Sequence, residues 1–176
     1  MGNRDALREL QARLADRLQA ARSEGIQASW LAVQAGGVNY LLPLAQSGEI
    51  FPMAGWQPVP YTRPWFLGVA NLRGGLWGVV DLASFVSGQP PQQRADHVRL
   101  QSRLVSLNTI LDVNCALLVE RLTGLRGLDG FVQSQPAAPD APAYFASRYT
   151  DAQGETWQEI NLQALSQQPQ FISISA

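Results

Sequence analysis

Two apolar runs of strand length, Trp65 to Leu72 and Leu76 to Leu82, constrain the fold of this chain more than any other stretch. Both runs are rich in β-branched and aromatic residues, and an Arg-Gly-Gly tripeptide separates them. This pattern predicts a β-hairpin, because glycine adopts the positive φ of a tight turn without steric cost. Arg73 is the only charged residue of the predicted hairpin before Asp81. The sequence therefore places a single guanidinium at the tip of a hairpin.

Further short runs of strand composition, separated by turn signals, predict a mainly β chain. The predicted strands are 30–35 and 38–44 around Gly36-Gly37, 48–53, 102–108, 114–121, 144–149, 155–160 and a last edge strand at 171–174. Short helices are predicted at 82–86 and 161–167, with Asp81 and Asn161 as their N-terminal caps. Irregular segments are predicted at 56–64, 123–132 and 134–142, and an exposed connection near 88–98 joins two halves.

Residues 3–24 have the pattern of one amphipathic helix that precedes the first strand. Its apolar stripe repeats at intervals of three and four residues and consists of Leu7, Leu10, Leu14 and Leu18. Asn3 is suited to cap this helix and Gly25 to end it. The stripe is consistent with packing on the body of the protein and also with a partner-binding or dimerising helix.

Length and charge exclude several classes of protein. The chain has 176 residues, enough for one domain of ordinary size or two small lobes with a shared core. The net charge is −1, so neither nucleic acid nor an anionic membrane is attracted over distance. A single cysteine excludes a disulfide scaffold. The charged start resembles no signal peptide, and no apolar run reaches the length of a membrane span. We therefore expect a cytoplasmic protein without direct membrane insertion.

Residues for catalysis are scarce in this sequence. The sole histidine, His97, lies in the polar connection, and the sole cysteine, Cys115, lies in an apolar run. These two residues do not make a zinc site, which usually takes four ligands. The glycines around Arg73 are not followed by the Gly-Lys-Ser or Gly-Lys-Thr of a phosphate-binding loop. The sequence thus predicts no catalytic residue, no cofactor-binding residue and no metal ligand, and favours a binding protein over an enzyme.

The central hairpin resembles the signature of the CheW-like domain. The motif consists of Gly68-Val69-Ala70-Asn71-Leu72-Arg73-Gly74 followed by Val79-Val80-Asp81-Leu82, after an aromatic segment with several prolines. The resemblance extends from about Ser29 to Leu165, and we expect the domain to occupy residues 29–166. It implies two small, five-stranded, SH3-like β-barrels that pack together over a shared core.

The resemblance also implies a function and two binding surfaces. CheW-like proteins are adaptors that couple chemoreceptors to a CheA-like histidine kinase. Contact with the cytoplasmic tip of a methyl-accepting chemoreceptor is implied for Asn71, Leu72, Arg73 and Gly74. Contact with the regulatory barrel domain of the kinase is implied for Ser47, Glu49 and Ile50. The adaptor would then be cytoplasmic and recruited to receptor arrays at the membrane.

Several of these residues have a structural interpretation as well. Arg73 is also suited to anchor local carbonyl groups, and Ile50 has the character of a core strand residue. Asn71 and Leu72 are expected to shape the hairpin. Three tryptophans lie around the proline segment, namely Trp56, Trp65 and Trp77. They are expected in the core unless they are exposed as interface anchors. Their concentration in this segment resembles that of PilI-like adaptors in the twitching-motility systems of type IV pili.

Two other functions remain open at the level of sequence. One is a small-molecule-binding regulatory β-barrel, which predicts an apolar cavity with a few convergent polar groups. The other is a CheW-like scaffold that has no coupling to receptors, which predicts that Arg73 makes no contact with a partner.

Overall fold

The computed structural model describes Ala6, residues 8–15 and residues 30–176. Residues 30–176 contain eleven β-strands. They are β1 (Trp30–Ala35), β2 (Val38–Pro43), β3 (Ser47–Pro52), β4 (Phe66–Leu72), β5 (Gly75–Asp81), β6 (Arg103–Leu107), β7 (Cys115–Val119), β8 (Arg121–Arg126), β9 (Phe131–Gln135), β10 (Phe145–Asp151) and β11 (Thr156–Ile160). The three predicted hairpins, β1–β2, β4–β5 and β10–β11, are confirmed.

Short helices connect the strands of this region. They are α1 (Leu82–Ser87), α2 (Asp96–Gln101), α3 (Leu162–Ser166) and α4 (Pro169–Ile172), with single 3-10 turns at Thr109–Leu111 and Leu128–Gly130. Both predicted caps are confirmed, since the side chains of Asp81 and Asn161 accept hydrogen bonds from the first turns of α1 and α3. No helix in the part of the chain that the structure describes is long and apolar enough to cross a membrane.

The N-terminal segment is described only in part. Residues 8–15 are helical, as predicted, and the remainder of the predicted helix 3–24 lies outside the described residues except for Ala6. Leu10 and Leu14 are 58% and 52% exposed, so these two leucines of the stripe are not buried against the body of the protein.

The strands form two sheets. The six-stranded sheet has the order β8-β1-β2-β11-β10-β9, and the five-stranded sheet has the order β3-β6-β7-β5-β4. Most neighbouring strands are antiparallel, whereas β2–β11 and β5–β7 are parallel pairs. The predicted mainly β fold with two packed units is confirmed, although one sheet has six strands where five were expected.

Strands β1 and β7 are buried on both faces, and one face of each strand contributes to the hydrophobic core that the two sheets share. In β7, Leu117 and Val119 face the largest hydrophobic cluster, while Ala116 and Leu118 face a second cluster. Strand β1 alternates in the same way between the largest cluster and a third one that contains Trp30. Because successive side chains of a strand point to opposite faces, one sequence run supplies both a shared core and the interior of one unit.

Five predicted segments differ from the structure. Residues 123–132 and 134–142 were expected to be irregular, but the first segment includes the end of β8, which pairs with β1 through a bulge, and β9 begins in the first segment and ends in the second. The predicted strand 114–121 ends at Val119, and β8 begins after Glu120 in the other sheet. The predicted exposed connection contains the start of α2. The expected edge strand 171–174 begins as α4, because Pro169 at its first turn favours a helix.

Candidate functional site

The hairpin tip is a two-residue turn formed by Arg73 and Gly74. Their φ angles are +50° and +79°, and two positive φ values define a type I′ turn, which matches the twist of the flanking strands. Gly74 adopts this angle freely, whereas a positive φ is uncommon and costly for arginine. The backbone N–H of Gly74 donates to Asn71 Oδ1 over 2.9 Å, which stabilises the turn. The strained residue is thus the one that carries the charge.

The Arg73 guanidinium makes an ion pair with Glu49. Arg73 Nη1 lies 3.1 Å from Glu49 Oε1, and the two side chains are 76% and 52% exposed. Glu49 belongs to β3 and Arg73 follows β4, so the ion pair connects the two opposite edges of the five-stranded sheet. The sheet therefore closes on itself at this point. The structure brings together one residue from each of the two surfaces that the sequence predicted separately.

A bulge in β3 sets the position of Glu49. The register with β6 shifts between Ser47 and Ile50. Ser106 Oγ accepts a hydrogen bond of 2.8 Å from the Glu49 N–H and donates one of 3.3 Å to the Glu49 carbonyl. A Cβ atom at Gly48 would lie 2.4 Å from Ser106 Oγ and 2.9 Å from the Leu107 carbonyl oxygen. The close approach of β3 to β6 thus requires glycine at position 48.

A groove of about 470 Å³ lies beside the ion pair. Its walls combine Arg73 and Glu49 with the aromatic side chains of Phe51 and Trp77. Large apolar side chains from β3, β5 and the 3-10 turn are exposed in this part of the sheet; they are Ile50 (45%), Leu76 (69%) and Ile110 (80%). The combination of an exposed ion pair, an apolar groove and exposed aliphatic side chains is typical of a surface that binds another protein.

The predicted site residues divide into exposed and buried positions. Asn71, Arg73, Gly74 and Glu49 are exposed, and so is Ile50, which is therefore not a core strand residue. We call these five residues the hairpin-tip surface.

The other two predicted positions are buried. Ser47 is 8% exposed, and its hydroxyl donates to the Pro43 carbonyl over 2.9 Å. Leu72 is 5% exposed and belongs to the second hydrophobic cluster. These two residues position the surface and do not form part of it.

A second ion-pair cluster was not anticipated from the sequence. Arg94, in the connection before α2, donates from Nη2 to Asp81 Oδ2 over 2.9 Å and from Nε to Glu120 Oε1 over 3.3 Å. The Arg94 and Asp81 side chains are 15% and 1% exposed. The only available signal was an isolated arginine in a polar, proline-containing segment, which is also typical of an exposed loop. We call these three residues the Arg94 cluster.

The remaining residues considered for chemistry have ordinary surroundings. His97 is exposed on α2. Cys115 is buried, and burial raises the pKa of its thiol well above the usual range. Among residues 30–176 and the described N-terminal positions, no group of three His, Cys, Asp or Glu side chains is arranged to hold a metal ion. Trp56, Trp65 and Trp77 pack against the hydrophobic clusters, as predicted.

Comparison with known protein families gives a match over most of the chain. The family model of the CheW-like domain matches residues 29–170. This chain belongs to the CheW-like domain family. The resemblance that the hairpin motif indicated is therefore confirmed, and the hairpin-tip surface belongs to a CheW-like domain.

A relative and a solved structure agree with this membership. The CheW-like chain is 26% identical over 159 residues to the protein PilI of Pseudomonas aeruginosa. The matched region covers 88% of this chain and 85% of PilI. Its fold is similar to that of the scaffolding protein TtCheW from Thermoanaerobacter tengcongensis, with a TM-score of 0.60 and 16% identity. That similarity covers 76% of this chain and 88% of TtCheW.

Proposed function

We propose that this chain is a non-enzymatic adaptor that couples the cytoplasmic tip of a methyl-accepting chemoreceptor to a CheA-like histidine kinase. Membership in the CheW-like family supports this function in general terms. The observation that carries the proposal is the exposed guanidinium of Arg73, held by a strained turn beside an apolar groove. In this proposal Asn71, Arg73 and Gly74 contact the receptor.

The kinase surface of the proposal is Glu49 and Ile50 on the edge strand β3. Both side chains are about half exposed, and Ile50 offers apolar area for a barrel domain of the kinase. The regulatory barrel domain of a CheA-like kinase is the proposed partner on this side.

The ion pair supplies a physical route for coupling between these two surfaces. A receptor group that attracts Arg73 withdraws it from Glu49. The Glu49 carboxylate then contacts the kinase without its positively charged partner. By linkage, kinase binding changes receptor affinity by the same factor. An exposed pair of this kind contributes about 0.2–1 kcal/mol, while typical allosteric coupling is about 1–3 kcal/mol. The ion pair thus accounts for part of such coupling, and repeated contacts in an array can add to it.

We further propose that the pathway is the chemosensory system of type IV pili, which controls twitching motility. The similarity to PilI over 88% of this chain supports this assignment. The adaptor would act in the cytoplasm, at membrane-associated receptor arrays.

Binding measurements with two purified partners test the adaptor function. The full chain is titrated into the regulatory barrel domain of the kinase and into a receptor tip fragment from the same organism. We expect Arg73→Gln to weaken receptor binding at least about tenfold, because a charge-assisted hydrogen bond contributes roughly 1.5–3 kcal/mol. We expect Glu49→Gln and Ile50→Ser to weaken kinase binding. Ile172→Ser is the matched control, since Ile172 is 65% exposed and lies on α4, outside the hairpin-tip surface.

The outcomes separate the adaptor from its two alternatives. Binding to the kinase domain without binding to the receptor would favour a scaffold with no receptor coupling. Absence of binding to both folded partners would reject the adaptor and favour a small-molecule-binding barrel. Equal effects of Ile50→Ser and Ile172→Ser would show that β3 is not the kinase surface.

A further inference from the structure

A second cavity, of about 390 Å³, lies between the two sheets, away from the hairpin-tip surface. Its apolar wall comes from β2, α1 and the connection after α1, and it includes Val38, Val86, Pro90 and Pro91. Its polar wall includes the Arg94 cluster and Tyr40, and polar side chains of the neighbouring helix and connection also line it, namely Ser84, Ser87, Gln89 and Gln92. The volume falls within the range of about 300–1,000 Å³ that is typical of small-ligand sites.

The Arg94 cluster holds the polar wall in place. Asp81 is the last residue of β5, and Glu120 directly follows β7, so both lie where the chain passes out of the five-stranded sheet. The backbone N–H of Glu120 donates to the Gln34 carbonyl of β1 over 2.8 Å, which fixes this crossing point against the other sheet. Arg94 bonds to both carboxylates. The polar groups of the cavity are thus preorganised, which reduces the entropic cost of binding.

Three polar atoms of this wall retain hydrogen-bonding capacity. In the part of the chain that the structure describes, Arg94 Nη1, Glu120 Oε2 and the Tyr40 hydroxyl have no hydrogen-bond partner. Tyr40 is only 3% exposed, and its hydroxyl is not an enclosed polar atom without a partner, so it is accessible from the cavity. Burial, with a smaller contribution from Tyr144, raises the pKa of Tyr40 to about 12, so the phenol keeps its proton at neutral pH.

The pattern of free donors and acceptors selects the chemistry of a ligand. Arg94 and Tyr40 offer donors, and Glu120 offers an acceptor, so a ligand group needs one acceptor and one donor side by side. The formal charges of the Arg94 cluster sum to −1. A carboxylate would therefore meet two like charges, while an ammonium group would leave the Arg94 and Tyr40 donors unpaired. A neutral amide satisfies all three atoms, with its carbonyl at Arg94 and Tyr40 and its N–H at Glu120.

We propose that the cavity between the sheets is a binding site for a small neutral amide with an apolar side group, such as a capped amino acid. The side group would pack against Val86 and the rigid Pro90-Pro91 segment. This site is independent of the proposed adaptor function, because none of the residues proposed to contact the receptor or the kinase lines the cavity.

A matched set of four probes tests the proposal on the full chain by titration in two-dimensional NMR. The probes are N-acetyl-valinamide (neutral amide), valine (zwitterion), N-acetyl-valine (anion) and valinamide (cation). We expect saturable binding of the neutral amide, with shifts of the backbone signals of Gly36, Ala83 and Gln89, which line the cavity. The three charged probes should bind at least tenfold more weakly.

Three variants locate the site. Tyr40→Phe removes one oxygen atom and no charge, and it should weaken the neutral amide about five- to tenfold, the loss of one hydrogen bond. Glu120→Gln should weaken it by a similar factor. Tyr61→Phe is the matched control, because Tyr61 is 90% exposed and lies outside the cavity, and it should leave binding unchanged. Unchanged dispersion of the NMR spectrum shows that each variant is folded.

Several results would overturn the proposal. These are the absence of saturation by N-acetyl-valinamide, a preference for any charged probe, unchanged affinity in folded Tyr40→Phe, or shifts confined to the hairpin-tip surface.

Discussion

Two arginines of this chain pair with carboxylates in opposite environments. Arg73 meets Glu49 at the hairpin tip, where the side chains are 76% and 52% exposed. Arg94 meets Asp81 between the sheets, where they are 15% and 1% exposed, and Glu120 joins them at 24%. Distances are similar, at 3.1 Å for the first pair and 2.9 Å for the second. The difference in environment therefore decides what each pair contributes.

Solvent screening makes the exposed pair weak and easily exchanged. Water and salt compete for both charges, so the pair adds little stability, and a partner can replace either member at low cost. Removal of one member of the buried pair instead leaves a charge without compensation. The comparison assigns the binding of partner proteins to the hairpin-tip surface, and it assigns a contribution to stability to the Arg94 cluster. Four predictions test this division.

The largest expected effect is that of Arg94→Ala. The substitution leaves the buried Asp81 carboxylate without Arg94 Nη2, which donates to both of its oxygens, and we expect a loss of about 3–5 kcal/mol in the free energy of unfolding. Urea denaturation followed by far-UV circular dichroism measures this change. Arg99→Ala is the control, because Arg99 is an exposed arginine of the neighbouring helix α2. A loss below 1 kcal/mol for Arg94→Ala would show that water compensates Asp81 and that the pair does not hold the fold.

A second prediction compares a buried leucine and an exposed leucine of the β4–β5 hairpin. Leu72 is 5% exposed and Leu76 is 69% exposed, on opposite sides of the same turn. Leu72→Ala should cost about 2–4 kcal/mol of unfolding free energy through lost burial and a residual cavity. Leu76→Ala should change it by less than about 0.5 kcal/mol. Thermal or urea unfolding of both variants compares them directly, and equal losses would contradict the assignment of Leu72 to the core.

Local signals in the sequence account for what could be predicted. The pairs Gly36-Gly37 and Arg73-Gly74 identify tight turns because the positive φ angles that such turns need are a property of the residues themselves. Asp81 and Asn161 identify helix starts for the same reason, since a cap is formed by neighbours in the chain. The predicted positions of the hairpin turns and of the two helix caps are therefore correct.

Contacts between distant residues account for what could not be predicted. Strand β8 forms because the edge of β1 is available for pairing, although its own sequence contains Gly124. Arg94 lies 13 residues from Asp81 and 26 residues from Glu120, so no local pattern connects them. Arg73 and Glu49 were each identified through the family resemblance, but their contact depends on closure of the sheet.

A third prediction concerns the backbone that positions Glu49. Gly48→Ala places a Cβ atom 2.4 Å from Ser106 Oγ and 2.9 Å from a backbone carbonyl, so β3 or β6 must shift. We expect a loss of about 1–3 kcal/mol in the free energy of unfolding, as is typical of overpacking. We also expect weaker kinase binding, because Glu49 moves with the strand. Gly55→Ala is the matched control, since a Cβ there meets nothing within 4 Å. If Gly48→Ala and Gly55→Ala behave alike, the bulge does not set the position of Glu49.

The smallest effect on stability is expected for the Arg73–Glu49 ion pair. In a double-mutant cycle with Arg73→Ala and Glu49→Ala, the coupling energy should be about 0.2–1 kcal/mol and should decrease as salt is raised from 0.05 to about 0.5 M, because screening acts strongly on exposed charges. Urea unfolding at the two salt concentrations measures it. Arg73→Ala also relieves no backbone strain, since alanine, like arginine, disfavours the positive φ of this turn. The cycle therefore reports the charge contact itself. A coupling above 2 kcal/mol that salt does not reduce would remove the distinction between the two pairs, and the hairpin tip would then be as much a structural element as the Arg94 cluster.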